Sequence, residues 1–442
     1  MPEKYLKMIL NSPVYDVAHE TPLDRAPRLS DKLENNVFIK REDLQPVFSF
    51  KIRGAYNKIV QLSPSEKQRG VIAASAGNHA QGVALAAERL RIKATIVMPE
   101  TTPEIKIDGV KKFGAKVILH GDDFSTAFAR AQEIANENSL VFIPPFDDPF
   151  VIAGQGTIAL ELLRQYTKNI HAIFVPIGGG GLIAGIGSYI KMVRPEIKII
   201  GVESDESASM YASIKKGRRI TLKNVGIFAD GVAVSQVGKE PFRLAKKVVD
   251  EIVLADVDQI CAAVKDLFED TRAIAEPSGA LAVAGMKNYI RDNKISGKTL
   301  IAINCGANVS FDRLRHISER ANYSEAREAL FAVTIPEKKG SFLAFCKVLG
   351  KRSITEFNYR YSSSKEAHIF VGLALTEGKP ERLKIQETFK HHGYETEDLT
   401  ENDMAKLHIR HMVGGRLNSN EVERIYRFEF PERPGALLNF LN

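Results

Sequence analysis

From about Asn36 to Asn304, short apolar runs alternate with longer stretches in which apolar positions recur every three to four residues. The strand-like runs are Val37–Ile39, Val71–Ala74, Ala94–Met98, Lys116–Leu119, Val141–Pro144, Ile173–Ile177, Lys198–Val202 and Leu300–Asn304. Between them lie helical patterns at Lys51–Gln61, Ala80–Leu90, Glu104–Phe113, Ser125–Asn136, Ile152–Gln165 and Ile183–Val193. Apolar strands separated by amphipathic helices predict βαβ units and parallel sheets. The 19 residues Ala172–Ile190 carry no charge but contain Pro176 and six glycines, which predicts a glycine-rich turn rather than a membrane-spanning helix.

The texture changes after Asp312. Ser318–Glu328 is polar and without β-branched residues, and reads as a helical connector. Leu330–Ile335 then alternates like a strand, followed by Pro336-Glu337-Lys338-Lys339-Gly340 and an apolar helix pattern over Phe342–Leu349. The same succession returns 95 residues later, with Tyr426–Phe430, then Pro431-Glu432-Arg433-Pro434-Gly435, then Leu437, Leu438 and Phe440. The repeat predicts two related α+β units. The second reaches Asn442 too soon to complete a sheet, so the expectation is one whole unit, about Leu330 to Thr400, and the start of another.

Composition narrows the class. At 442 residues, 44% hydrophobic and 26% charged, the chain is long enough for about three ordinary globular domains. The formal charge of +7 comes from basic residues interspersed with acids, without the basic block that tracks a phosphate backbone, so nucleic acid is not an expected partner. Cys261, Cys305 and Cys346 are isolated, giving neither a disulfide framework nor a paired-cysteine metal site. The charged segment Met1–Lys7 lacks the apolar core of a signal peptide. The expectation is a soluble, multidomain cytoplasmic protein without membrane association.

Four motifs carry the chemistry. In Ser49-Phe50-Lys51-Ile52-Arg53-Gly54, a lysine stands at a helix start, where the dipole disfavours a cation, between two apolar residues. Alone it reads as a solvated charge or as an amine of lowered pKa suited to Schiff-base chemistry. Ser75-Ala76-Gly77-Asn78-His79 follows a strand and opens a helix, where free N–H groups suit a carboxylate; an ordinary helix cap is the alternative. Pro176-Ile177-Gly178-Gly179-Gly180-Gly181-Leu182 joins strand to helix and aims N–H donors at one point, as in a phosphate cradle. The spacing Gly179-x-Gly181-x-x-Ala184 with Glu203 also fits a degenerate dinucleotide fingerprint, but that reading leaves Lys51 and Asn78 unexplained. Finally, Cys305 ends a strand before Gly306; a buried cysteine is ordinarily a small hydrophobe, but a carboxyl strand end can face a ligand.

In this order the motifs resemble the fold-type-II pyridoxal-phosphate enzymes, and specifically the biosynthetic threonine dehydratases. The likeness runs nearly the whole chain and extends to Lys40-Arg41-Glu42-Asp43-Leu44-Gln45-Pro46, Phe228-Ala229-Asp230-Gly231 and Cys305-Gly306-Ala307-Asn308-Val309. It implies an α/β catalytic domain of two lobes with parallel twisted sheets (residues 1–320, the smaller lobe roughly 48–150). A connector at 321–328, an ACT-like regulatory unit at 329–423 and a truncated second unit at 424–442 complete the expected organisation.

The resemblance also assigns roles. Lys51 would hold pyridoxal 5'-phosphate as a Schiff base and remove the substrate's Cα proton, while Asn78 would hydrogen-bond the cofactor's phenolic oxygen. Gly178, Gly179, Gly180 and Gly181 would bind its phosphate, and Cys305 would face its pyridine nitrogen. Ser75, Ala76, Gly77, Asn78 and His79 would form the substrate carboxylate loop. A thiol, with a reference pKa of about 8.5, is too weak an acid to stand as a fixed anion beside that nitrogen. The ring is then a poorer electron sink, which favours expulsion of a β-substituent.

Two departures separate the chain from the similar serine racemases. Ala76 stands where those enzymes carry a second serine that works on the opposite face. Glu203 keeps their first cation ligand, but Ser209 replaces the second, so no metal site is expected. The implied reaction converts L-threonine, with L-serine as a secondary substrate, into 2-oxobutanoate and ammonia. Isoleucine and valine are the implied effectors, and a homotetramer is the implied assembly. A serine dehydratase or racemase-like enzyme is the alternative.

Overall fold

A computed structural model describes residues 2–324, 328–350, 352–361, 366–375, 378–400 and 402. It divides into two compact units, one formed by Met1–Ser318 and one beginning at Glu319. The first unit contains two sheets. Its strands are β1 (Leu23–Arg25), β2 (Asn36–Arg41), β3 (Val71–Ala74), β4 (Ala94–Met98), β5 (Lys116–Leu119), β6 (Val141–Phe142), β7 (Ala172–Pro176), β8 (Lys198–Ser204), β9 (Glu251–Ala255) and β10 (Thr299–Asn304).

The larger sheet has the order β1-β2-β10-β7-β8-β9, with β1 antiparallel at one edge and the remaining pairs parallel. The smaller, wholly parallel sheet has the order β5-β4-β3-β6. Parallel strands are covered on both faces and therefore read as continuous apolar runs; every residue of β7 and β3 is buried. The edge strands β1 and β9 escape the sequence pattern. β1 is the three-residue Leu23-Asp24-Arg25, whose exposure rises toward Arg25, and β9 begins on an exposed Glu251. β6 closes at Phe142, two residues earlier than the pattern predicts, because Pro144 and Pro145 cannot donate to the ladder.

The cores follow the two sheets. One cluster gathers Ile173, Val175, Ile183, Ile186 and Ile199 under the larger sheet, and another gathers Val71, Ala73, Val83 and Ile96 against the smaller. Between them runs a fully buried ionic network. Arg53 donates to Glu42 at 2.8 Å and to Glu161 at 2.5 Å, and Lys40 meets Glu161 at 2.5 Å, all four side chains being inaccessible. Arg53 lies on the helix Lys51–Val60 and Glu161 on the helix Pro149–Gln165, so the network fixes the helix that begins with Lys51.

The second unit is a β-α-β-β-α-β fold of β11 (Glu328–Pro336), β12 (Ile354–Tyr361), β13 (Glu366–Ala374) and β14 (Glu395–Asp398), in the antiparallel order β12-β13-β11-β14. The helices Ser341–Leu349 and Lys379–His391 cover one face. Phe331 packs edge-on against Phe389 at 5.4 Å, and Phe345 against Tyr394 at 5.5 Å. This split βαβ pattern matches the α+β unit expected from the first repeat. The first residues of the expected connector lie in the helix Phe311–Ser324. Residues 325–327 of that connector, 403–423 of the first regulatory unit and the whole second unit, 424–442, lie outside the described residues.

Candidate active site

The carboxyl ends of β7 and β10, the turn after β3 and the start of the helix Lys51–Val60 converge on one cavity in the first unit. Its lining includes Lys51, Asn78, Gly178, Gly179, Gly180, Val232, Ser278 and Cys305. Crevices beyond the carboxyl ends of parallel strands are the ligand sites of open α/β sheets.

The glycine turn is shaped by what surrounds it. Gly180 has φ +90°, a left-handed conformation that leads directly into the helix Gly181–Val193. A Cβ at Gly179 would fall 2.1 Å from Cδ1 of Phe146. Glycine is thus required by backbone conformation at one position and by close approach at the other. The turn carries no side chain, and the first N–H groups of the helix have no intrahelical acceptors, an arrangement suited to an anion. Gly181 itself opens the helix and does not line the cavity.

Lys51 is the first residue of its helix, and its Nζ donates to the Pro145 carbonyl at 3.1 Å and lies 5.3 Å from the centre of the Phe50 ring. Burial of the amine lowers its pKa to about 8, against the opposing pull of Cys305 and Glu276. Desolvation, more than the helix end, accounts for that displacement. Burial also pushes the Cys305 thiol well above its ordinary range, and the nearby Glu276 carboxyl reinforces it. Its Sγ donates to the Ser278 carbonyl at 3.3 Å, as a neutral thiol does.

Asn78 is held from both sides. Its Nδ2 donates to Glu276 Oε1 at 2.7 Å, and its Oδ1 accepts from Asn308 Nδ2 at 2.6 Å. It is the first helical residue, with Gly77 preceding it as the cap, so the ordinary-cap alternative does not describe it.

The rest of the Ser75–His79 loop does not line this cavity. Ser75 Oγ accepts the Gly77 N–H at 3.2 Å, and the space a Cβ would enter at Gly77 is open for 4 Å. The His79 side chain is packed away in the core, its Nε2 2.8 Å from the Ile143 carbonyl. Burial, and then the charge of Lys51, lower its pKa to about 3, so it is neutral.

Glu276 is absent from the sequence reading. It sits at the cap position of the helix Pro277–Asn293 but its side chain accepts no backbone N–H of that helix's first turn. Instead its Oε1 accepts from Asn78 and, at 2.7 Å, from Ser278 Oγ. It is buried, and burial followed by the charge of Asp230 raises its pKa. An acid directly before Pro277-Ser278-Gly279, at the head of an otherwise apolar helix, is the signal that could have found it.

Asp230, also unassigned from sequence, meets Lys106 at 2.7 Å and Arg313 at 3.6 Å. Glu203 accepts the N–H groups of Met210 and Tyr211 at 2.8 and 2.7 Å and is raised to about 8 by burial. It therefore caps the helix Ser209–Lys216. Among the described residues no cluster of His, Cys, Asp and Glu has the arrangement of a metal site, and no helix is long and apolar enough to cross a membrane.

Comparison with known proteins gives the family. Residues 14–306 match the family model of pyridoxal-phosphate dependent enzymes, and residues 319–409 match the C-terminal regulatory domain of threonine dehydratase. The chain is 55% identical over 441 residues to the biosynthetic L-threonine dehydratase of Burkholderia multivorans, covering 99% of this chain and 87% of that protein. The corresponding enzyme of Pasteurella multocida is 56% identical over 438 residues, covering 99% and 85% respectively. The solved structure of the processed threonine deaminase isoform 2 from Solanum lycopersicum superimposes with a TM-score of 0.71 at 52% identity, covering 72% of this chain and 93% of that one.

The residues present fit such a cofactor. A side-chain-free turn at a helix start offers a phosphate cradle, and a desolvated amine of pKa about 8 stands at the same cavity. The chain belongs to the threonine dehydratase family of pyridoxal-phosphate-dependent enzymes.

Proposed function

We propose that this chain converts L-threonine into 2-oxobutanoate and ammonia, the first step of isoleucine biosynthesis, with L-serine as a secondary substrate. The observation that carries the reading is the pairing, in one cavity, of the lowered-pKa amine of Lys51 with the neutral thiol of Cys305.

When bound, pyridoxal phosphate supplies electron withdrawal from the substrate's Cα. Lys51 Nζ would hold the cofactor and, as a free amine, would accept the Cα proton. The N–H groups at the Gly178–Gly181 turn hold the phosphate, and the second Nδ2 hydrogen of Asn78 serves the cofactor's ring oxygen. The backbone amides and Ser75 hydroxyl of the Ser75–His79 loop hold the substrate carboxylate at the start of their helix. The His79 imidazole takes no part in that contact, because its ring is spent on Ile143.

A neutral thiol cannot fix a proton on the pyridine nitrogen as an aspartate would. Charge drawn from Cα is then best relieved by breaking the Cβ–O bond. Loss of the Cα hydrogen and the β-hydroxyl as water leaves an enamine, which tautomerises and takes up water to give 2-oxobutanoate and ammonia. Ala76 supplies no opposite-face proton carrier, which favours elimination over racemisation.

Residues 1–320 form the catalytic part in this reading, and the unit at 329–423 senses isoleucine as inhibitor and valine as its opponent, in a cytoplasmic homotetramer. The test is 2-oxobutanoate production from L-threonine by the full chain across an isoleucine titration, repeated on a chain ending at Ala321. Turnover that falls with isoleucine only in the full chain supports both parts. Turnover insensitive in both removes the sensor, and no turnover removes the dehydratase.

A further inference from the structure

We infer that Asn308 is a positioning residue for the reaction, fixing which atom of the Asn78 carboxamide faces the cavity and where the segment leading into Lys51 sits. This rests on the proposal that Asn78 serves the cofactor.

A carboxamide has two ends of similar shape and opposite hydrogen-bonding sense, so its orientation is decided by its neighbours. Asn308 is a dedicated neighbour for one end. Its Nδ2 donates to Asn78 Oδ1 at 2.6 Å and to the Val47 carbonyl at 2.8 Å. With Oδ1 taken, Asn78 Nδ2 must face Glu276 Oε1, 2.7 Å away, which leaves its second hydrogen for the cavity. Without Asn308, a Glu276 carrying a proton would donate to Asn78 Oδ1 just as readily, and the amide could turn over.

The Val47 contact belongs to a wider junction. The Phe50 N–H donates to the Cys305 carbonyl at 3.2 Å, Ser49 bridges to Gly306, and the Ala307 N–H donates to the Phe48 carbonyl at 2.9 Å. Phe48 holds φ +54°, uncommon for a bulky residue and sustained only where the surroundings over-determine it. The segment 305–308 thus clamps residues 47–50, and Lys51 begins its helix immediately afterwards. Asn308 ties the clamp to Asn78, so the amine and the amide on either side of the cavity share one anchor.

The test compares Asn308→Asp, which keeps the shape but turns the donor into an acceptor, with Asn308→Ala and Asn78→Ala. The readouts are pyridoxal phosphate affinity of the apoprotein, the absorption maximum of the bound cofactor, kcat and KM for L-threonine, and apoprotein Tm. The expected result for Asn308→Asp is a displaced absorption band and a kcat lower by about 10- to 100-fold, the scale of a small misplacement of reacting groups. Apoprotein Tm and KM should change little, and Asn308→Ala should fall in between. Unchanged kcat and absorption in both Asn308 variants, with Asn78→Ala impaired, overturns the role of Asn308 alone. Unchanged cofactor affinity and absorption in Asn78→Ala overturns the underlying reading of Asn78. A Tm loss in both Asn308 variants, with normal kcat below the transition, reduces Asn308 to a structural contact and also overturns the inference.

Discussion

Asn78 and Glu276 meet across the cavity wall through a 2.7 Å hydrogen bond, the amide donating and the carboxyl oxygen accepting. The same oxygen receives Ser278 Oγ, so two neutral donors face a carboxyl group that is buried beside Asp230. Burial and the Asp230 charge raise its pKa; the two hydrogen bonds and the charge of Lys106 oppose the rise without cancelling it.

The sign of the resulting pH dependence follows from linkage. Above its ordinary value of 4.5, the unfolded chain releases the Glu276 proton while the folded chain keeps it. The folded state then binds more protons, and this group's contribution to stability, fully present below that value, declines as pH rises through the folded pKa. Glu276→Gln keeps both accepted hydrogen bonds and removes the titration. The Tm of the variant relative to the parent should therefore climb as pH rises above about 4.5. A Tm difference that stays level with pH would show that Glu276 does not hold its proton in the folded protein.

Lys51 offers a second pH signature. Its free amine, lowered to about 8 by burial, is the neutral nucleophile that must capture the cofactor. Reconstitution of the apoprotein with pyridoxal phosphate should accelerate with pH and level off above about pH 8, whereas an ordinary lysine, of pKa about 10.4, would still be accelerating there. Lys51→Ala should abolish turnover while leaving the fold and Tm essentially intact. Residual activity within tenfold of the parent would remove Lys51 from its assigned role.

How much of this was legible beforehand depends on how local the signal is. The strands β3 and β7 announce themselves because every residue is buried and the sequence is apolar throughout, and β10 does so through its apolar run Leu300–Ile303. Lys51, Asn78 and the glycine turn are readable because each stands at a strand-to-helix or loop-to-helix junction with its own sequence signature. Glu276 and Asn308 are not, because their meaning lies in partners 198 and 230 residues away at Asn78. The direction of the His79 ring is equally invisible, since it is decided by the Ile143 carbonyl at the end of another strand. Even the sign of the Lys51 displacement is local while its main cause, desolvation by burial in the folded chain, is not.

The ionic network behind Lys51 makes a stability prediction. Arg53 is wholly buried, as are its partners Glu42 and Glu161. Removing one member of such a cluster leaves uncompensated buried charge, which costs about 3–5 kcal/mol, more than the net worth of the intact pairs. Arg53→Met should destabilise by that amount in urea unfolding, and the loss should exceed that of Arg164→Met, which pairs with Glu20 at the surface. Comparable losses in the two variants would contradict the separation of buried from solvated pairs.

The contact between the glycine turn and Phe146 can be tested by a pair of substitutions. An alanine at Gly179 would place its Cβ 2.1 Å from Phe146 Cδ1 and 2.2 Å from Cγ, distances that no real contact reaches. Cδ1 lies close to the backbone end of the ring, so small rotations cannot clear it, and either the ring swings out or the turn moves. Both outcomes disturb the N–H groups that face the phosphate, so Gly179→Ala should weaken pyridoxal phosphate binding by about 10-fold or more, the effect of one or two lost hydrogen bonds to a charged group. Phe146→Ala opens the same space and alone should weaken binding less. If the clash is the cause, the double variant recovers most of the lost affinity, and the coupling between the two positions is large and favourable. Losses that simply add would place the defect in the turn's own backbone, which at φ +90° for the adjacent Gly180 has little freedom to yield.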